Sequence, residues 1–77
     1  MKKLELRTIK NEENIIADMI ILPCTTGELG VLPGRLPCTM VLKRGAIRVI
    51  DNGEESRIDI NGGLASISGD IVTVLER

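Results

Sequence analysis

The apolar residues of this chain come in short runs that a glycine or proline breaks roughly every 8 to 12 residues, a spacing typical of β-sandwiches and β-barrels. Isoleucine and valine supply 11 and 5 of the 77 residues. Their branched Cβ atoms lower helix propensity and fit a pleated strand. No capped segment with a helical period is long enough for a stable helix. The pattern predicts an all-β fold, an antiparallel two-layer β-sandwich of about nine or ten short strands in a single domain over residues 1–77.

Alternation of apolar and polar residues places the predicted strands. The first strand covers residues 3–9, with Leu4 and Leu6 on one face and Glu5 and Arg7 on the other. The polar residues 10–14 then form a turn. The remaining strands are predicted at residues 15–16, 18–22, 31–32, 39–43, 46–51, 56–60, 64–68 and 71–75.

Glycine and proline mark the predicted connections. Pro23 is expected to end a strand, because proline lacks the N–H that a β-ladder needs. Asn52-Gly53 predicts a type I′ hairpin turn, in which both central residues take positive φ. The other connections are predicted at residues 27–30, 33–34, 44–45, 61–63 and 69–70.

The composition excludes several functional classes. The chain has no His, Trp, Tyr or Phe, and its formal net charge is −1. Without His it lacks the usual acid–base group near neutral pH and the commonest metal ligand. Without aromatic rings or a basic excess it offers little to nucleic acid. The longest apolar run, residues 19–23, is far short of the roughly 20 residues that span a bilayer. We therefore expect a cytosolic or membrane-peripheral protein that binds no nucleic acid.

The two cysteines, Cys24 and Cys38, fit no metal-binding spacing, since two thiols without His cannot complete a tetrahedral zinc site. We expect small, buried or half-buried free thiols. The glycine-containing segment 27–30 lacks the Gly-Lys-Ser/Thr of a phosphate-binding loop. No catalytic residue, metal site or cofactor site is predicted.

Several short motifs together resemble one family. Residues 21–37 contain Gly-Glu-Leu-Gly, an apolar pair and Pro-Gly-Arg-Leu-Pro. This segment is similar to the signature of the epsilon subunit of F-type ATP synthases, in which Gly-Glu-Leu-Gly precedes Pro-Gly-His-Ala-Pro-Leu. Residues 42–50 resemble the Ile-Arg-Ile strand of that family, residues 61–64 its Ser-Gly-Gly-Phe turn, and residues 72–75 its Val-Thr-Val-Leu.

The resemblance implies the N-terminal β-sandwich of that subunit. This is a non-catalytic rotor part of a proton-translocating ATP synthase, peripheral to the cytoplasmic side of the inner (plasma) membrane. It implies contact with the c-ring through Glu28 and Leu29, with Glu28 near basic side chains of the ring loops. It implies contact with the gamma subunit through Thr8, Arg35 and Met40, where Arg35 stands in place of the family's usual His.

The family usually continues into two C-terminal helices, whereas this chain ends at Arg77. We therefore expect no C-terminal helical hairpin, no self-inhibition of the motor and no nucleotide binding. Two alternatives stay open from the residues alone. The first is a free-standing β-sandwich that binds another protein. The second is a thiol enzyme that uses Cys24 or Cys38.

Overall fold

The computed structural model describes residues 2–8 and 14–77, which form seven β-strands and no helix. The strands are β1 (Leu4–Thr8), β2 (Ile15–Ala17), β3 (Met19–Cys24), β4 (Gly27–Val31), β5 (Arg35–Asp51), β6 (Glu54–Gly69) and β7 (Ile71–Glu76). They form one sheet in the order β2-β1-β7-β6-β5-β3-β4, in which only β1 and β7 pair in parallel. The all-β prediction is confirmed, with seven strands instead of nine or ten. No helix in the described part of the chain is long and apolar enough to cross a membrane.

Two long strands make the sheet curl into two layers. β5 and β6 have 17 and 16 residues and pair along almost their whole length. A straight strand of this size would be about 55 Å long, whereas the longest dimension of the molecule is 31 Å. The hairpin must therefore bend. One half of it pairs with β7, and the other half pairs with β3.

The prediction of breaks at residues 44–45 and 61–63 is wrong. Arg44 pairs with Asn61 and Gly45 pairs with Ile60, so both segments stay in the ladder. Gly62 and Gly63 have φ values of 99° and 144°, which let β6 bend without leaving its partner. The glycines therefore mark a bend inside a strand, and four predicted short strands merge into two long ones.

The predictions around β3 and β4 also need correction. Pro23 lies inside β3, at a register shift between Ile21 and Cys24, where the ladder does not require its missing N–H. The predicted connection at residues 27–30 is instead β4, and the turn falls at residues 25–26. The predicted strand at residues 31–32 therefore starts earlier and ends at Val31.

Two local predictions are confirmed. Asn52 and Gly53 have φ values of 53° and 82°, as a type I′ turn requires. Leu4 and Leu6 are buried, and Glu5 and Arg7 point away from the core. Ile9, the last residue of the predicted first strand, and residues 10–13 of the turn predicted after it lie outside the described residues.

The core lies between the two layers and is aliphatic. Every buried side chain of the described residues is hydrophobic. Buried positions recur at every second residue at Val72 and Val74 of β7 and at Ala65 and Ile67 of β6, as expected for strands with one covered face. The hydrophobic core consists of Leu4, Leu6, Ala17, Ile20, Leu22, Cys24, Val31, Leu42, Ile47, Val49, Ile60, Ala65, Ile67, Val72 and Val74.

Candidate interaction surfaces

The first candidate surface surrounds Glu28 on β4, the strand at one edge of the sheet. The Glu28 side chain is 58% exposed, and its Oε1 lies 3.2 Å from Nη2 of Arg48. Leu29 pairs with Leu22 and packs partly against the core. The Glu28 carboxylate is therefore at the surface, whereas much of the Leu29 side chain is turned toward the core.

Arg48 is a residue of this surface that the sequence analysis missed. It lies in β5 opposite Arg57 of β6. Its Nη1 is 3.5 Å from Oε1 of Glu55, whose Oε2 lies 3.4 Å from Nε of Arg57. The Nε of Arg48 is buried without a hydrogen-bond partner among the described residues. Because Arg48 is 20 residues from Glu28, only the pairing of β3 between β4 and β5 brings them together.

Thr8 and Met40, two of the residues assigned to the gamma contact, lie on the covered face of the sheet, where Met40 packs partly against the core. Thr8 pairs with Val74, Val74 with Ala65, and Ala65 with Met40, so these residues form one row across four strands. Directly paired residues share a face of the sheet. Thr8 and Met40 are half-buried at the two ends of this row, about 14 Å apart at the usual strand spacing.

Arg35 lies apart from that row. It is exposed at the start of β5 and pairs with Gly69. The preceding turn is fixed by the backbone N–H of Gly34, which donates to Oδ1 of Asp70 over 2.9 Å. The structure thus aligns Thr8 and Met40 in one row across the sheet and places Arg35 five residues before Met40, at the start of the same strand.

An exposed apolar row lies on the opposite face of these strands. Val41 pairs with Leu64, and Leu64 pairs with Leu75. They are 53%, 45% and 54% exposed, respectively. Each is the chain neighbour of a member of the Thr8–Met40 row, so it points the other way. The sequence shows that Leu64 and Leu75 must face away from their chain neighbours Ala65 and Val74. It does not show which of the two faces is buried, and the strand pairing was needed to assign it.

Charged side chains join the start of β1 to the tip of the long hairpin. Nζ of Lys3 donates to Oδ1 of Asp51 over 2.6 Å and lies 2.9 Å from Oδ1 of Asp18. The backbone N–H of Asn52 donates to Oδ2 of Asp18 over 2.8 Å. Hydrogen bonding to Asp51, and then to Asp18, raises the pKa of Lys3. The hydrogen bond from Lys3, and then the one from Asn52, lowers the pKa of Asp18.

The two cysteines are free thiols, Cys24 buried and Cys38 half-buried. Burial is the main cause that raises the pKa of Cys24, and a charge on Cys38 would add to it. The thiol form is therefore favoured at neutral pH, which opposes nucleophilic chemistry at Cys24. Within residues 2–8 and 14–77, no three Cys, Asp or Glu side chains are placed to hold a metal ion.

Comparison with known families accounts for this arrangement. Residues 3–77 match the family model described as the β-sandwich domain of the ATP synthase delta/epsilon chain. The chain belongs to this family. The long bent hairpin and the curled sheet are thus the form that the delta/epsilon β-sandwich takes in this sequence.

Similar curated proteins carry the name ATP synthase epsilon chain. One from a Synechococcus species is 41% identical over 75 residues, which cover 94% of this chain and 55% of the relative. One from Granulibacter bethesdensis is 37% identical over 79 residues, which cover 97% of this chain and 58% of the relative. The chain therefore spans about half the length of the curated relatives that it matches.

Two solved structures share the fold. A chain of the Euglena gracilis mitochondrial ATP synthase, in a structure of its OSCP, F1 and c-ring, aligns with a TM-score of 0.83 and 24% identity. That alignment covers 96% of this delta/epsilon chain and 50% of the other chain. A chain of the central stalk and c-ring of Tetrahymena thermophila mitochondrial ATP synthase gives a TM-score of 0.67 at 17% identity, covering 96% of this chain and 63% of the other.

Proposed function

We propose that this chain is the β-sandwich of a non-catalytic rotor subunit in a proton-translocating F-type ATP synthase, where it couples the gamma subunit to the c-ring. The observation that carries the proposal is the family match over residues 3–77. The names of the matched relatives and the stalk and ring assemblies of the two solved structures support it. In that role the protein lies peripheral to the membrane, on its cytoplasmic side.

A coupling element must transmit torque with little deformation. The aliphatic interior suits this task, because close-packed side chains have low compressibility. The ion pairs of Lys3 with Asp18 and Asp51 also tie the start of β1 to the tip of the long hairpin. The proposal therefore assigns the function to the outer surfaces and the stiffness to the core.

We assign the contact with the gamma subunit to Thr8 and Met40 at the ends of their row, together with Arg35. We assign the contact with the c-ring to Glu28 and the exposed part of Leu29. The position of β4 at the sheet edge supports the second assignment, because the free side of an edge strand is open to a partner.

Co-purification with the gamma subunit tests the proposed function. The chain is expected to elute with the folded gamma subunit on a sizing column. Failure to do so, with circular dichroism showing both proteins folded, would contradict the proposal. A Met40→Glu variant that circular dichroism shows to be folded is expected to weaken the complex. The folding check is needed because Met40 packs partly against the core, and Glu54→Lys, a charge change at the exposed hairpin tip, serves as the control.

Disulfide crosslinking tests the ring assignment. In a background with Cys24→Ala and Cys38→Ala, cysteine at Glu28 is expected to crosslink to cysteine in the polar loop of the c subunit within the assembled complex. Cysteine at Glu54 provides the matched control, because it also replaces an exposed glutamate. Equal crosslinking at both positions would remove the assignment of Glu28.

A further inference from the structure

A shallow depression of about 460 Å³ lies beside Glu28 on the outer surface. We call it the basic depression. It lies where β3, β4, β5 and β6 come together, at the bend of the long hairpin. Its lining consists of Pro23, Glu28, Lys43, Arg44, Gly45, Ala46, Arg48 and Arg57.

Four of the side chains that line the basic depression are cations, and one is a carboxylate. The carboxylate, Glu28, already contacts Arg48. Glu55 lies between Arg48 and Arg57 and offsets part of their charge. Lys43 and Arg44 are exposed and take part in none of the ion pairs found in the described part of the chain.

Cations still outnumber carboxylates when the acidic residues next to the basic depression are included. Asp59 lines a neighbouring depression that shares Arg44 with this one. With Glu28, Glu55 and Asp59 included, three carboxylates face four cations, and the floor at Pro23, Gly45 and Ala46 carries no side-chain charge. A cation that approached Glu28 would meet Arg48 at the same carboxylate and further cations around it. An anion would instead be attracted by the same cations.

We infer that the basic depression receives a carboxylate from a polar loop of the c-ring. This inference rests on the proposed function, and it replaces the basic partner that the family resemblance implies opposite Glu28. Arginine suits such a contact, because its planar guanidinium can bind a carboxylate through two parallel hydrogen bonds. Glu28 acts as an internal partner that holds Arg48 at the surface. A contact at an exposed edge of this kind contributes to register and association rate more than to affinity.

Charge-reversal variants of the full chain test the inference. Binding to a purified complex of gamma subunit and c-ring is measured by biolayer interferometry at low and physiological salt. Arg44→Glu and Lys43→Glu are each expected to raise the Kd by about threefold to tenfold at low salt and to reduce its salt dependence. Glu28→Gln is expected to lower the Kd, because it removes a carboxylate from the basic depression and frees Arg48 for the incoming carboxylate.

Lys2→Glu is the matched control, since it makes the same charge change at an exposed residue outside the basic depression. It is expected to change the Kd by less than about twofold. A Kd raised by Glu28→Gln but not by Arg44→Glu or Lys43→Glu would overturn the inference, because the carboxylate would then be the docking group. Equal binding by all variants would overturn it as well and leave the proposed function standing.

Two further outcomes separate the inference from its alternatives. If the unaltered chain does not bind the gamma–ring complex, the proposed function and the inference fail together. If it binds phosphatidylglycerol vesicles that lack the ring, and Arg44→Glu abolishes this binding, the basic depression is a site for lipid phosphate and the inference is wrong. Absence of vesicle binding, with the expected effects on the gamma–ring complex, supports it.

Discussion

Gly63 is the position where one side-chain atom would do most damage to the fold. A Cβ added there would overlap the carbonyl oxygen of Leu75 and lie 3.0 Å from Cα of Glu76, both on β7. Its φ of 144° is also in the range that L-residues rarely adopt. The backbone cannot yield as a flexible side chain would, so glycine is required by the close approach of β6 and β7.

Gly63→Ala is therefore expected to lower the free energy of unfolding by more than about 2 kcal/mol, as overpacking and backbone strain combine. Gly69→Ala is the matched control, because Gly69 also has a positive φ of 61° but nothing lies within 4 Å of its added Cβ. It should cost about 1 kcal/mol. Urea unfolding followed by far-UV circular dichroism measures both, and equal losses would show that strain alone, without the β7 contact, governs Gly63.

Asp18 couples stability to pH. Because its pKa is lowered in the folded state, its contribution is present above the ordinary value of 3.8 and is lost as the pH falls through the lowered value. The pKa of Lys3 is raised, so its contribution is present below 10.5 and is lost above that pH. Between these two windows the Lys3–Asp18 pair should give a stability that does not vary with pH.

Asp18→Asn tests this linkage. The variant is expected to be less stable than the parent chain at pH 6, and the difference should vanish as the pH falls well below 3.8, where Asp18 is protonated in both states. Glu54→Gln, the same kind of acid-to-amide change at an exposed residue of the hairpin tip, is the control and should change the stability at pH 6 by less than about 0.5 kcal/mol. A difference that persists unchanged into strong acid would assign the effect of Asp18→Asn to packing or hydrogen bonding, independent of charge.

At the scale of the strands, local chemistry is readable from the sequence, but pairing is not. The Asn52-Gly53 turn and the alternation of β1 follow from residues within a few positions of one another, and both are predicted correctly. The continuity of β5 through Arg44 and Gly45 depends on partners that are distant in the chain, such as Asn61, which pairs with Arg44 from 17 residues away. A glycine indicates a change of chain direction both in a turn and in a bend within a strand. Which of the two forms depends on whether a partner strand continues alongside it.

The same limit applies to the candidate surfaces. Thr8 and Met40 share a row only because β1 pairs with β7 in parallel, a long-range pairing that no short motif encodes. Arg48 reaches Glu28 across β3, although nothing in its neighbourhood along the chain distinguishes it from the other arginines. Residue types therefore indicate which groups are available, and sheet order determines which of them meet.

β6 offers a test of which face of the sheet is covered. Leu64 is 45% exposed in the outer apolar row, whereas Ile67 is 1% exposed on the opposite face of the same strand. Leu64→Thr is expected to change the free energy of unfolding by less than about 1 kcal/mol. Ile67→Thr should cost about 2–4 kcal/mol, because it buries a hydroxyl and leaves unfilled volume. Similar losses in chemical unfolding would mean that the outer row is also covered.

At the scale of the whole molecule, one continuous sheet encloses the core, and its strands differ in how firmly they are held. β6 is paired on both sides, with β5 along nearly its full length and with β7 over residues 63–68. β2 and β4 lie at the two ends of the strand order, and β2 has only three residues. Local opening requires least energy where few hydrogen bonds and few buried contacts must break.

Native-state hydrogen exchange should therefore resolve a gradient of protection across the sheet. Amides in the ladders of β6 with β5 and β7 are expected to exchange only through global unfolding, at roughly 4–12 kcal/mol for a chain of this size. Those of β4 should open at lower free energy, since β4 pairs on one side only and presents the surface assigned to the c-ring. In the proposed function, partners bind at the edge strand and torque passes through the central strands, so the centre of the sheet should be stiffer than its edge. Protection of β4 equal to that of β6 in the isolated chain would contradict it, because the edge would then be as rigid as the centre.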